Sequence, residues 1–114
     1  MSSESIVPAA TCNTMDEVRA GIDHLDATIV ALLARRMRYI EAAARIKQDR
    51  EAVRDEPRKE QVIDHACAVA REQGFPEPLA RKIYEVLVEG SIAYELTHFD
   101  RRERTRPAVN PNAT

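Results

Sequence analysis

The chain has 114 residues, enough for one domain with a modest core. Its 17 basic and 19 acidic residues give a formal net charge of −2, which argues against a general nucleic-acid or membrane-surface binder, because both need a strong positive field. Apolar residues make up 44%, but alanine supplies much of that and aromatic residues only 4%. A core of such small side chains favours long helices that pack along a common apolar face. No apolar run approaches the roughly 20 residues needed to span a bilayer. The N-terminus lacks the pattern of a signal peptide. We therefore expect a cytoplasmic protein.

The first predicted element is a long helix. Residues 1–13 are polar and interrupted by Pro8, which predicts a flexible tail. Thr14 followed by Glu17 has the pattern of a capping box and predicts that the helix begins there. The helical pattern then continues to about Gln48 without a proline, which corresponds to about 50 Å of helix.

The long helix carries a seam typical of helices that pack against another helix. The seam positions are Val18, Ile22, Leu25, Ile29, Leu32, Arg36, Tyr39, Ala43 and Ile46. A seam of this length cannot be covered within a small monomer, so the pattern predicts a dimer in which two long helices cross.

Arg36 occupies a seam position where a leucine is expected, and Lys47 projects from nearly the same face. Because a buried charge needs a partner, two cations on one face favour a binding site for an anion. The alternative is that both side chains extend out of the seam to solvent, or that Arg36 pairs with a buried carboxylate.

A second helix follows a charged connecting loop over residues 49–56. Asp55 or Glu56 can cap this helix, and Pro57 fits its first turn because the missing N–H costs nothing there. Arg58 extends the apolar face of the helix, which we expect to end near Gly74.

The turn FPEP (75–78) leads into a third predicted helix over about 78–103. Glu95 falls on a partly apolar stripe between Ser91 and Phe99, where a neutral carboxylic acid would be a hydrogen-bond donor. The competing interpretation is an exposed rim glutamate or a partner for an arginine. Ser91 is either a small packing residue or a hydroxyl donor. Residues 104–114 predict a disordered tail. Without any strand signal, the fold class is all-α, with one domain over 14–103.

Three segments resemble the all-helical, type II chorismate mutases, and most of all the branch that contains isochorismate-pyruvate lyase. They are VRAGIDHLDATIVALLARRMRYIEAAARIK (18–47), VRDEPR (53–58) and EGSIAYE (89–95). The resemblance implies a three-helix protomer with one very long N-terminal helix and an intertwined homodimer with two sites.

The resemblance also implies roles for individual residues. Lys47 matches the lysine of the long helix that binds the substrate, and Glu95 falls where many members carry glutamine and some carry glutamate. We expect these two residues to donate to the reacting ether oxygen. Arg19 matches the arginine that reaches into the partner's site. The other positions that match substrate-binding residues of the family are Arg36, Asp55, Arg58 and Ser91. Lys59 stands where some members carry a glutamate for the ring hydroxyl, and Gly90 replaces an acidic residue found in some members.

The activity implied by the resemblance is the pericyclic rearrangement of chorismate to prephenate. This reaction needs no nucleophile, metal or redox cofactor, but it needs a clamp on a dicarboxylate and a donor to the ether oxygen. Isochorismate-pyruvate lyase and aminodeoxychorismate mutase activities are alternatives that use nearly the same clamp. A non-catalytic helical dimerisation module would explain the seam but not the cations within it.

Overall fold

The computed structural model describes residues 6–106, and this part of the chain is built from helices without any strand. The three α-helices are α1 (Met15–Ile46), α2 (Glu56–Gln73) and α3 (Glu77–Thr105). Short 3-10 helices cover Ala9–Thr11 and Arg50–Ala52. The all-α class and the order of three helices are therefore confirmed. The tails predicted at the two ends lie in part outside the described residues, at 1–5 and 107–114, and Arg104 and Thr105 belong to the last turn of α3.

The chain divides into two compact units, Met1–Arg38 and Tyr39–Thr114, so that α1 begins in the first unit and ends in the second. In the first unit the predicted capping box is confirmed. Thr14 Oγ1 accepts a hydrogen bond from the backbone N–H of Glu17 at 3.1 Å, and Glu17 Oε1 accepts from the backbone N–H of Thr14 at 3.0 Å. Glu17 also accepts from the backbone N–H of Asn13, and these bonds lower the pKa of its carboxyl group. The carboxylate thus fixes the start of α1.

The apolar face of α1 is uncovered within the first unit. Between residues 6 and 38 no side chain reaches full burial. The seam residues Ile22, Leu25 and Ile29 are 51%, 60% and 52% exposed. The N-terminal segment contacts α1 at another point, where Ile6 approaches Gly21.

The second unit contains a continuous apolar core. Ile63 of α2 is completely buried at its centre. The other members come from the end of α1, the connecting loop, α2 and α3, and they are Ala44, Val53, Cys67, Val88, Ile92 and Phe99. Among residues 6–106, none of the helices combines the length and apolar character needed to cross a membrane.

The ends of α2 follow the sequence signals. Asp55 Oδ1 accepts a hydrogen bond from the backbone N–H of Arg58 at 3.0 Å, which makes Asp55 the N-cap. Pro57 lies in the first turn. Gly74 closes the helix in the left-handed conformation with φ 71°, which glycine adopts without the steric cost of a Cβ. Both predicted boundaries are confirmed.

Candidate functional site

Lys47 and Glu95 form a largely enclosed ion pair in the second unit. Lys47 is the first residue after α1, and its backbone N–H still donates to Ala43 O at 2.9 Å. Its Nζ lies 2.8 Å from Glu95 Oε2, with 29% of the lysine side chain and 6% of the glutamate side chain exposed. The structure thus brings together the two residues expected at the reacting ether, one from the end of α1 and one from α3.

The oxygen of Glu95 in this pair is buried and incompletely satisfied. Oε2 is close enough to Lys47 for a strong Coulomb attraction, yet no group among residues 6–106 gives it a well-aligned hydrogen bond. A buried carboxylate oxygen in that state can accept a further donor, or bind a proton and become a donor itself. The pair is therefore suited to contact a polar ligand atom.

Ser91 lies one turn before Glu95 on the buried face of α3 and is 3% exposed. Its hydroxyl donates to Leu87 O at 2.7 Å. Phe99, one turn after Glu95, is buried in the apolar core. The predicted stripe is confirmed, and the interpretation of Glu95 as an exposed rim residue is wrong, because the four-residue spacing directs this face inward.

Asp55 and Arg58 lie at the start of α2, and both are exposed. One carboxylate oxygen of Asp55 accepts the backbone bond that caps the helix. The aspartate therefore has a structural task in addition to any contact with a ligand.

Lys59 belongs to a charged network that ties the start of α2 to α3. Its Nζ lies 3.0 Å from Glu89 Oε2 and 3.4 Å from Glu85 Oε2, and its side chain is 16% exposed. Arg54 binds Glu89 at 2.8 Å and Glu56 at 2.8 Å. Hydrogen bonds from Arg54 first, and then from Lys59, hold the pKa of Glu89 at about 2. Lys59 thus balances carboxylates of α3.

Arg19 and Arg36 belong to the first unit. The Arg19 side chain is 69% exposed and lies 3.9 Å from Asp16. Arg36 is half-buried on α1. The five other predicted site residues belong to the second unit.

Sequence reasoning missed two groups near the end of α1. Tyr94 donates its hydroxyl hydrogen to Glu41 Oε2 at 2.5 Å, and its ring lies 4.5 Å from that of His98. Arg102 donates to the carbonyl oxygens of Ala44 and Arg45. The signal for Arg102 was its position seven residues after Glu95, which is two turns along the same face of α3.

The described part of the chain, residues 6–106, contains no cluster of three or more His, Cys, Asp or Glu side chains that could hold a metal ion. The Lys47 ammonium, which keeps partial contact with solvent, can bind an anionic group of a ligand and donate to a developing negative charge.

Comparisons with known proteins identify a family and a relative. The family described as chorismate mutase type II matches residues 18–96, a range that includes every predicted site residue from Arg19 to Glu95. Among curated proteins, an isochorismate pyruvate lyase of Pseudomonas aeruginosa is 27% identical over 88 residues, which cover 77% of this chain and 87% of that relative.

Proposed function

Because the chain belongs to the type II chorismate mutase family, we propose that it is an enzyme that rearranges chorismate to prephenate. The observation that carries this proposal is the buried ion pair of Lys47 and Glu95, with a distance of 2.8 Å between Nζ and Oε2. A helical module that only dimerises would explain the apolar face of α1 but not the cations within it.

The rearrangement breaks the ether C–O bond and forms a C–C bond in one step, so negative charge develops on the ether oxygen. Lys47 is the donor to that oxygen. A donor that is already oriented stabilises the transition state more than the ground state, which is what lowers the barrier. The buried partner Glu95 restricts the orientations that the flexible lysine can adopt.

Glu95 has a second role when the substrate is bound. As a carboxylate it would repel the charge that develops on the ether oxygen, whereas as a neutral acid it donates a hydrogen bond. We propose that Glu95 is neutral in the reacting complex and donates beside Lys47.

The two carboxylates of the substrate need separate cationic partners. Arg36 and Arg58 are proposed for them, because a guanidinium binds a carboxylate through two parallel hydrogen bonds. Asp55 and Ser91 are proposed as further substrate-binding residues, as polar groups at the start of α2 and on α3.

We also propose that the enzyme is a homodimer and that Arg19 completes the partner's site. Its support is the apolar face of α1 in the first unit, where Ile22, Leu25 and Ile29 remain at least half exposed. A second copy that covers this face would remove several large apolar side chains from water, each worth about 1.5–3 kcal/mol when fully buried.

The shared site can be tested by mixing inactive variants. Arg19→Ala and Lys47→Ala proteins are each expected to be nearly inactive. After subunit exchange, a heterodimer has both lesions in one site and an intact second site, so a statistical mixture should recover about a quarter of the wild-type sites. Exchange confirmed by mass spectrometry without recovered activity would contradict the shared site, and a folded, active monomer at micromolar concentration would contradict the dimer.

Isochorismate-pyruvate lyase activity is the second candidate, because the relative of that name is similar over most of both chains. In this reaction a ring hydrogen moves to the enolpyruvyl methylene as the C–O bond breaks, giving salicylate and pyruvate. The same lysine would stabilise the departing oxygen. Lys59 also supports this candidate. It pairs with Glu89 and Glu85 and stands where some chorismate mutases carry a glutamate for the ring hydroxyl.

The experiment is to measure kcat/KM of the purified protein on chorismate, isochorismate and aminodeoxychorismate, with Lys47→Ala as the control. We expect chorismate to be the best substrate and the control to lose most turnover. A preference for isochorismate would assign the lyase reaction. A folded protein that neither turns over any of the three nor binds a dicarboxylate transition-state analogue would be a non-catalytic module.

A further inference from the structure

The C-terminus of α1 is held by a side chain from α3. Arg102 Nη1 donates to Ala44 O at 3.0 Å and to Arg45 O at 2.6 Å. Its Nη2 lies 2.8 Å from Glu103 Oε1. One guanidinium therefore joins the ends of two helices that are far apart in the sequence.

This contact uses the chemistry of a helix end. The last four carbonyl groups of an α-helix have no partner within the helix, and together they carry partial negative charge. A guanidinium offers several N–H donors in one plane together with a positive charge. Arg102 thus supplies both the hydrogen bonds and the charge that the end of α1 lacks.

The guanidinium is itself fixed in place. Its central carbon lies 4.6 Å from the centroid of the Phe99 ring, a distance typical of a cation–π contact. Phe99 belongs to the buried core, as does Ala44, whose carbonyl oxygen accepts one of the bonds. Arg102 therefore contacts two residues of the buried core, one on α3 and one on α1.

We propose that Arg102 is a positioning residue for Lys47, an inference that rests on the proposed function of the Lys47–Glu95 pair. Lys47 follows Arg45 by two residues, and its amide makes the last helical hydrogen bond of α1, to Ala43 O. Arg102 binds the carbonyl groups of Ala44 and Arg45, directly before the residue at which the chain leaves α1. It thereby sets the direction in which the Lys47 side chain leaves the helix towards Glu95.

The same helix supplies both parts of the arrangement. Glu95 and Arg102 are separated by seven residues, or about two turns, on α3. One of them pairs with the Lys47 ammonium, and the other binds the backbone that carries it. α3 therefore fixes Lys47 at two points: Glu95 pairs with its ammonium group, and Arg102 binds the backbone carbonyl groups that precede it.

The test is a double-mutant cycle on kcat. Arg102→Ala is expected to lower kcat by about 10–100-fold, since a small misplacement of a catalytic group has effects of this size. In a Lys47→Ala background the same change should have almost no further effect on kcat, because there is no lysine left to position. Arg102→Lys, which keeps a charge and donors, should recover part of the loss. Arg101→Ala, at an exposed neighbouring arginine of α3, is the matched control and should leave kcat unchanged.

A second measurement does not depend on turnover. Amide hydrogen exchange at Lys47 should be at least 10-fold faster in Arg102→Ala than in the wild type, while exchange at the core residue Ile63 remains the same. If the wild type turns over no substrate, the proposed function fails, but the exchange data still test whether Arg102 fixes the end of α1. The inference is overturned if the Lys47 amide keeps its wild-type exchange rate, or if the effects of Arg102→Ala and Lys47→Ala on kcat multiply. If Arg102→Ala does not fold, the same two measurements are made on Arg102→Lys.

Discussion

Lys47 and Glu95 are mutually dependent, because the carboxylate of Glu95 is almost fully buried and the Lys47 ammonium, 2.8 Å away, is the cation that balances it. Lys47 itself keeps partial contact with solvent. The two residues therefore differ in what their removal leaves behind, and substitutions can separate stability from catalysis.

Lys47→Ala should lower both stability and activity. It leaves a buried carboxylate without its cation, a change that costs about 3–5 kcal/mol for fully buried pairs and about 2–3 kcal/mol here because Lys47 is partly solvated. The loss of the donor should reduce kcat/KM by about 10²–10³-fold. Urea denaturation at pH 7 and fixed protein concentration measures the first effect. Adding Glu95→Gln to Lys47→Ala should restore much of the stability without restoring activity. If Lys47→Ala alone is as stable as the wild type, the ion pair does not contribute to folding.

Glu95→Gln should keep much more activity than Glu95→Ala. If Glu95 donates a hydrogen bond to the ether oxygen, glutamine keeps a donor of similar shape at the same place, whereas alanine removes the donor. Loss of one such donor commonly lowers kcat by about 10²–10³-fold. Measurement of kcat for the three proteins on the true substrate tests this, and equal losses in both variants would contradict the donor role of Glu95.

Glu89 should contribute to acid sensitivity. Arg54 and Lys59 hold the pKa of Glu89 at about 2, below the ordinary value of 4.5. A depressed pKa means that the carboxylate stabilises the folded state above pH 4.5 and that this contribution is lost as pH falls from 4.5 towards 2. Glu89→Gln should therefore be less stable than the wild type at pH 7, and the difference should shrink across that window. Thermal unfolding at several pH values tests this, with Glu60→Gln at an exposed site of α2 as the control. An undiminished difference near pH 2 would contradict the charge network.

Asp55 allows capping to be separated from substrate binding. Asp55→Ala removes the acceptor for the Arg58 N–H and should cost about 1 kcal/mol of stability. Asp55→Asn retains a capping oxygen and should be nearly as stable as the wild type. A loss of kcat/KM in the asparagine variant at unchanged stability would support contact with the substrate. Equal kinetics of Asp55→Asn and the wild type would leave the cap as its function.

The sequence predicted those features that local chemistry determines. The capping box at Thr14, the cap at Asp55 and the end of α2 at Gly74 each depend on hydrogen bonds or backbone conformations within a few residues, so they were found without knowledge of the fold. Helical spacing placed Glu95 on one stripe with Ser91 and Phe99, but the burial of this stripe was settled only by packing.

Features that depend on packing between distant segments were not predicted. The pairing of Lys59 and Arg54 with Glu89 joins residues at least 30 positions apart. No local pattern indicates which of many surface charges meet in this way. The end of α1 at Ile46, two residues before the predicted end, has no glycine or proline signal either, and the end coincides with the carbonyl contacts of Arg102.

The inward face of α3 has a consequence for how this protein can vary. The segment from Val88 to Arg102 carries core residues, the carboxylate that pairs with Lys47 and the guanidinium that binds α1, all in one helical phase. A single inserted or deleted residue would rotate one half of this segment by about 100° relative to the other. Either the core or the ion pair would then face solvent. The length of this segment is therefore constrained as strictly as its chemistry, and variation in length should be confined to the loop before α2 and to the ends of the chain.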